Sequence, residues 1–318
     1  MAPLRTLLSL LATAVAAVDS NDDARAGWPV SLEFLKTCNA TTFFAFVEPL
    51  VNMTTLSYTA TWGTYYKARA ANATVSGWRR ALPESNPKDG GMRALTFLAE
   101  DGRGVVAFRG TDLGPEGRSS KADLCADDFL SGHAMPEWCL RLFTHEALDY
   151  FARAVEFAEQ AALAHPGVRW LYTGHSLGAQ LAELVASVRG AGHVALGFSA
   201  PAVLPVLRNR TQVDPALLPS WQVVALYNEW DPLRSLAQGA LPGSECLWED
   251  LPSPAGCQQC AASPSLTSAF CSRCFNETHV WKHYIDLIKF GHRPRCSGIA
   301  DVSNRFMPPP RETEILLE

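Results

Sequence analysis

Between residues 93 and 228 short apolar runs alternate with helical patterns, and that alternation limits the folds open to the chain. The runs are RALTFLAE (93–100), GVVAFRG (104–110), VRWLYTG (168–174), HVALGFSA (193–200) and WQVVALYN (221–228). The first two are joined by the turn DGRG and read as neighbouring strands. GVVAFRG is nearly all apolar, the pattern of a strand covered on both faces. An amphipathic helix starts near Glu146, where Leu148, Phe151, Val155, Ala158 and Ala162 recur at helical spacing, and Pro166-Gly167 stops it. LGAQLAELVASVRG (177–190) is a second helix, ended by Gly190. Strands alternating with helices predict an α/β fold with a mostly parallel central sheet flanked by helices. The 318 residues, 47% of them hydrophobic, suffice for one sizeable core or for a domain with an insertion.

The ends and the surface point to export. Residues 1–18 read as a signal peptide: Arg5 supplies the positive start, Leu7 to Val18 are apolar but too short to span a bilayer, and Ala14 and Ala16 fit a cleavage rule. Asn39, Asn52, Asn72, Asn209 and Asn276 stand in N-x-S/T sequons, far more than the one or so that composition would give, so N-glycans are expected. The 27 basic and 32 acidic residues form no long run of one sign, which argues against nucleic acid as a partner. No later segment is apolar enough for a transmembrane span. Nine cysteines, an odd number, should mostly pair outside the cell. Cys257, Cys260, Cys271 and Cys274 form two C-x2-C pairs with the spacing of a four-thiolate zinc site, but behind a signal peptide disulfides are the expectation and no metal is assigned. The organisation expected is a signal peptide, one domain over 19–300 with a Cys-rich insertion at about 243–275, and a tail over 301–318.

The sequence TGHSLGAQ sets Ser176 between two glycines. At about 7% each for Gly and Ser, G-x-S-x-G turns up by chance in about one chain of this length in ten. Here it lies between a strand and a helix, where a sharp turn exposes the serine and the helix amides face its oxygen. Ser176 is therefore a candidate nucleophile, and His175 beside it reads as a packing residue. A serine needs a base, and the base an orienting acid. Asp231 follows the last strand in NEWDPL, at the strand end where such sheets present their sites, although Asp-Pro is also a common turn. Of the downstream histidines, His279 falls at the mouth of a helix that Asn276 and Thr278 could cap near Val280. His283 lies one turn inside and is the alternative.

Taken together, VVAFRGTD, TGHSLGAQLA and VVALYNEWDPL resemble the class 3 lipase family, the fungal-type triacylglycerol lipases and their plant relatives, over about residues 90 to 290. The resemblance implies an α/β-hydrolase fold and a secreted serine hydrolase of lipid esters with a Ser176–His279–Asp231 triad, working at a lipid–water interface without a cofactor. It implies an oxyanion hole from the amides of Thr111 and Leu177. HVWKHYIDLI is similar to the plant members' histidine stretch in the register of His279, and His145 matches a structural segment before the long helix. Residues 112–143 correspond to the family's lid, with Leu113, Leu124, Phe129 and Leu130 to supply its lipid-facing side. The resemblance also implies a Cys38–Cys296 disulfide. A Cys125–Cys139 bridge across the lid base is expected as well, which leaves five cysteines in the insertion for two local bridges and one odd thiol, with zinc as the rival explanation. DPLRSL lacks the family's valine-proline pair, and the Cys-rich insertion is not typical of it. Phospholipase, galactolipase or polysaccharide (feruloyl-type) esterase activity on the same fold, or a non-catalytic secreted binding protein, are the other readings.

Overall fold

The computed structural model describes residues 28, 31–59, 75–85, 91–112, 118–132, 134–237, 241–252, 254, 257–262 and 269–298. The expected signal peptide, the C-terminal tail, Asn72 and Leu113 lie outside the described residues. Among the described residues no helix is long and apolar enough to cross a membrane.

After helix α1 (Ala40–Thr59), eight strands form one sheet in chain order. They are β1 (Trp78–Ser85), β2 (Ala94–Ala99), β3 (Arg103–Phe108), β4 (Arg169–His175), β5 (Val194–Phe198), β6 (Val223–Asn228), β7 (Ser244–Trp248) and β8 (Arg295–Ser297). β3 through β7 are parallel, while β1, β2 and β8 add antiparallel edges. Between β3 and β4 run α2 (Arg118–Ser131), α3 (Glu137–Leu142) and α4 (Tyr150–Ala164). α5 (Leu177–Arg189) joins β4 to β5, and α6 (Cys257–Ala262), α7 (Ala269–Thr278) and α8 (Trp281–Lys289) fill the stretch between β7 and β8.

The near-continuous apolar runs follow from helices on both faces. Alternate residues of one strand enter two different cores, as the two-residue period of a strand requires. Val105 and Ala107 of β3 pack with α1 and α8, whereas Val106 and Phe108 pack with α4 and α5. Such a mostly parallel sheet, with a strand–serine–helix elbow at its centre, is the α/β-hydrolase arrangement expected from the sequence.

Three expectations are corrected. The helix expected from Glu146 is two pieces, a turn at His145–Leu148 and α4, because the Asp149 side chain accepts from the Ala152 amide and starts a new helix. The Cys-rich insertion begins later than residue 243, since Ser244–Trp248 is a fully buried strand of the sheet. The Cys38–Cys296 disulfide is replaced by Cys246–Cys296, and Cys38 is the free thiol. β7 and β8 pair antiparallel with Cys246 directly opposite Cys296, so register brings those two sulfurs together. The Cys125–Cys139 bridge is present, and the insertion holds Cys257–Cys274 and Cys260–Cys271. All four thiols of the C-x2-C pairs are therefore in disulfides.

Candidate active site

Ser176 sits at the elbow between β4 and α5 with φ 57° and ψ −129°, a left-handed conformation that a non-glycine residue adopts only when its surroundings hold it there. Its amide donates to the Phe198 carbonyl (2.9 Å). The flanking glycines are required by close approach. A Cβ on Gly174 would lie 2.4 Å from the Gly178 backbone, and one on Gly178 would lie 2.3 Å from the Phe108 carbonyl oxygen. α5 thus packs its first turn onto the ends of β3 and β4. The opening amides of a helix, Leu177 among them here, have no acceptor within the helix and carry its positive dipole end.

Asp231, fully buried after β6, is held through both oxygens. Oδ1 accepts from the Leu233 amide (2.9 Å), so the aspartate does cap a turn. Oδ2 accepts from the Ser199 hydroxyl and from His279 Nδ1, the latter at 3.0 Å. The turn contact and the imidazole contact coexist, one on each oxygen.

His279 is in the link between α7 and α8, at the helix mouth as expected, but without the expected caps. Val280 is the N-cap of α8 and makes no side-chain cap, and the Thr278 hydroxyl donates back to Cys274 (2.8 Å). The His279 ring is buried between Phe275 and His175, with centroids at 4.2 and 4.6 Å. With Nδ1 given to the carboxylate, the proton is placed there and Nε2 keeps its lone pair. Nε2 is buried with no protein hydrogen-bond partner among the described residues. A general base requires such a free lone pair.

His283 does not join this pair. Its Nε2 accepts from Asn228 Nδ2 (2.7 Å), and burial lowers its pKa. The Thr111 hydroxyl donates to Asp127 Oδ2 (2.7 Å). Burial pushes the Asp127 carboxyl up to about 7, with the Thr111 hydrogen bond opposing it.

Several contributors escaped the sequence reading. His175 is a polar bridge as well as a packing residue: Nδ1 accepts from the Tyr58 hydroxyl (2.9 Å), and Nε2 donates to the His279 carbonyl. Burial, and secondarily His279, lower its pKa well below the usual imidazole range, so it stays neutral. Arg109, just past β3, forms a buried ion pair with Asp123 of α2. Asp123 also accepts from Tyr150 Oη (2.9 Å) and the Asp112 amide (3.0 Å), so α2 is tied to the loop that carries Thr111. Burial raises the Asp123 pKa against the pull of Arg109. These contacts join residues far apart in sequence, and only the repeated Arg/Asp content around 109–128 could have hinted at them.

The segment expected to act as a lid comprises α2 and α3, cross-linked by Cys125–Cys139. Of its expected lipid-facing residues, Leu124 is exposed, Leu130 is buried, and Phe129 packs on Leu148 and His145. Among the described residues of this segment, the other exposed large apolar side chains are Trp138, Leu140 and Leu142 of α3.

No protein-family model and no curated protein matches the chain. Among solved structures it is similar to Lip2 lipase from Yarrowia lipolytica, at 12% identity over 65% of this chain and 78% of that one, with a TM-score of 0.38. The lipase from Rhizopus microsporus var. chinensis is similar at 13% identity over 68% and 78%, with a TM-score of 0.41. A mutant form of MDLA from Penicillium cyclopium is similar at 14% identity over 76% and 94%, with a TM-score of 0.40. At these identities and scores the likeness carries no chemistry, which has to come from this chain's own residues.

Proposed function

We propose that the protein is a secreted serine hydrolase of lipid carboxylic esters, with Ser176 as nucleophile, His279 as base and Asp231 as its orienting acid. The observation that carries this reading is the buried Asp231–His279 pair, with Nε2 unpartnered, packed against His175, the residue before a serine held in a strained elbow. In the reaction Ser176 Oγ attacks the ester carbonyl carbon while His279 Nε2 takes its proton. Negative charge collects on the carbonyl oxygen, where the amides of Thr111 and Leu177 would each supply about 3 kcal/mol. Collapse breaks the bond to the alkoxy oxygen, which leaves with the proton from His279. Water then enters by the same route and frees the acid from the acyl-enzyme. None of these steps calls on a cofactor.

Four disulfides and the exposed sequon residues Asn39, Asn209 and Asn276 support secretion and N-glycosylation. The exposed Leu124, Trp138, Leu140 and Leu142 support contact with a lipid–water interface.

A fluorophosphonate probe should label the wild-type protein and fail to label Ser176→Ala. That variant should remain folded and lose ester hydrolysis, with His279→Ala equally inactive and His283→Ala retaining most activity. Turnover by Ser176→Ala within tenfold of wild type would remove the nucleophile assignment. Activity in His279→Ala with loss in His283→Ala would transfer the base to His283.

A further inference from the structure

We propose that Ser199 and Tyr284 are positioning residues that hold the Asp231 carboxylate for His279, an inference that rests on the triad reading above. Ser199 directly follows β5 with φ 53°, a backbone conformation where glycine is the unstrained choice. It is fully buried, and its amide donates to the Leu226 carbonyl of β6 (2.8 Å), so the strained turn is locked to the neighbouring strand. A side chain kept in such a place needs a use. The Ser199 hydroxyl contacts both Asp231 Oδ2 and the Tyr284 hydroxyl.

Proton counting fixes the direction of this chain. A carboxylate only accepts, so Ser199 spends its one proton on Asp231. Tyr284 must then donate to Ser199, with the Leu226 carbonyl at 3.4 Å a more distant acceptor for the same proton. Donation therefore runs from Tyr284 through Ser199 to Asp231 Oδ2, the oxygen that His279 Nδ1–H also uses. Successive donors in a buried chain polarise one another, which strengthens the last bond. With the Leu233 amide on Oδ1, the carboxylate cannot rotate away from the imidazole. Tyr284 stands on the first turn of α8, five residues beyond His279, so the same hydroxyl that feeds Ser199 anchors the helix that follows the base. The relay also disperses the charge on Oδ2 and tempers its pull on the His279 proton. The other titratable ring against His279 is His175, kept neutral by burial.

The test is turnover of a p-nitrophenyl ester across pH by the purified protein, with thermal unfolding and the low-field proton NMR signal of a carboxylate-bonded imidazole Nδ1–H. Ser199→Gly removes the hydroxyl while relieving the backbone, so kcat should fall about 10- to 100-fold, the range for losing a hydrogen bond to a charged group. Its unfolding temperature should stay level or rise. The acid limb of the kcat/KM profile should move to higher pH, because an undispersed carboxylate holds the imidazolium proton more tightly, and the Nδ1–H signal should shift. Tyr284→Phe should act in the same direction by about threefold, and it decides the matter alone if Ser199→Gly does not fold. Wild-type kcat and pH limb in Ser199→Gly would overturn the proposal. So would a lowered unfolding temperature with an unmoved limb, which marks a purely structural residue. Activity in Ser176→Ala would instead refute the triad reading, and the NMR signal, which needs no turnover, would still report on Ser199 and Asp231.

Discussion

Glu183 offers a test of how this fold tolerates an unpaired carboxyl group in its core. It lies on α5 with no exposed surface, and neither carboxyl oxygen has a hydrogen-bond partner among the described residues. Space for it comes from Gly197 on β5, where a Cβ would stand 2.6 Å from Glu183 Oε1. Burial drives its pKa well above the ordinary 4.5, so the folded chain keeps a proton that the unfolded chain releases. Stability must therefore fall as pH rises above about 4.5, by about 1.4 kcal/mol for each unit over which the folded carboxyl stays protonated. Glu183→Met keeps a straight, helix-favouring side chain and removes both the unpaired polar group and the titration. It should be more stable by about 1–3 kcal/mol near pH 4.5, the cost of an unsatisfied buried polar group. The gap should widen as pH rises. Glu183→Gln should show the same flat pH dependence without the constant gain. Urea unfolding of the three proteins at several pH values measures this directly, and taking differences cancels every other titrating group. Parallel curves for wild type and Glu183→Met would show that Glu183 is solvated and ionised in the fold, and the argument would fail.

Asp123→Ala removes the buried carboxylate of the Arg109 ion pair while Asp112 remains at 3.3 Å, and denaturant unfolding should show a loss of about 3 kcal/mol, with Asp123→Asn milder. Serine in place of both Cys125 and Cys139, which are separated by 14 positions in sequence, should cost about 3 kcal/mol by the chain-entropy model, read as a lowered midpoint in the same assay. Thiol titration of the unfolded, unreduced protein should find one reactive group, lost in Cys38→Ser, and peptide mass spectrometry should return the Cys246–Cys296 bridge. A Cys38–Cys296 peptide would contradict the register of β7 and β8.

The central sheet was legible because strands covered on both faces cannot carry polar residues at a two-residue period. β3, β4, β5 and β6 all appear in the sequence as apolar runs for that reason. β1, WRRALPES, was not legible: it is an edge strand with every residue partly or wholly exposed, so charge and a proline are admissible there. β7 and β8 are short and each contains a cysteine, which drew attention to sulfur chemistry before strand pairing. The misassigned disulfide has the same origin, since a list of cysteines does not reveal strand register.

The candidate site divides along the same line. Ser176 and Asp231 were readable because their placement follows from local rules: a glycine-flanked serine between strand and helix, and an acid at a strand's end. His279 and His283 stand about one helical turn apart in the sequence, and the contact that distinguishes them, from His279 to Asp231, spans 48 residues. Ser199, Tyr58 and His175 were invisible as polar partners, because a serine after a strand or a tyrosine in a helix carries no local sign of its distant acceptor. Ser199 is the instructive one among these. A serine at φ 53° has a structural cost that glycine would avoid, and its hydroxyl meets the carboxylate oxygen that also accepts from His279. Strain of that kind persists where a side chain is needed, so the backbone outlier and the hydrogen bond explain each other. Neither could be inferred from the string FSAPAV alone.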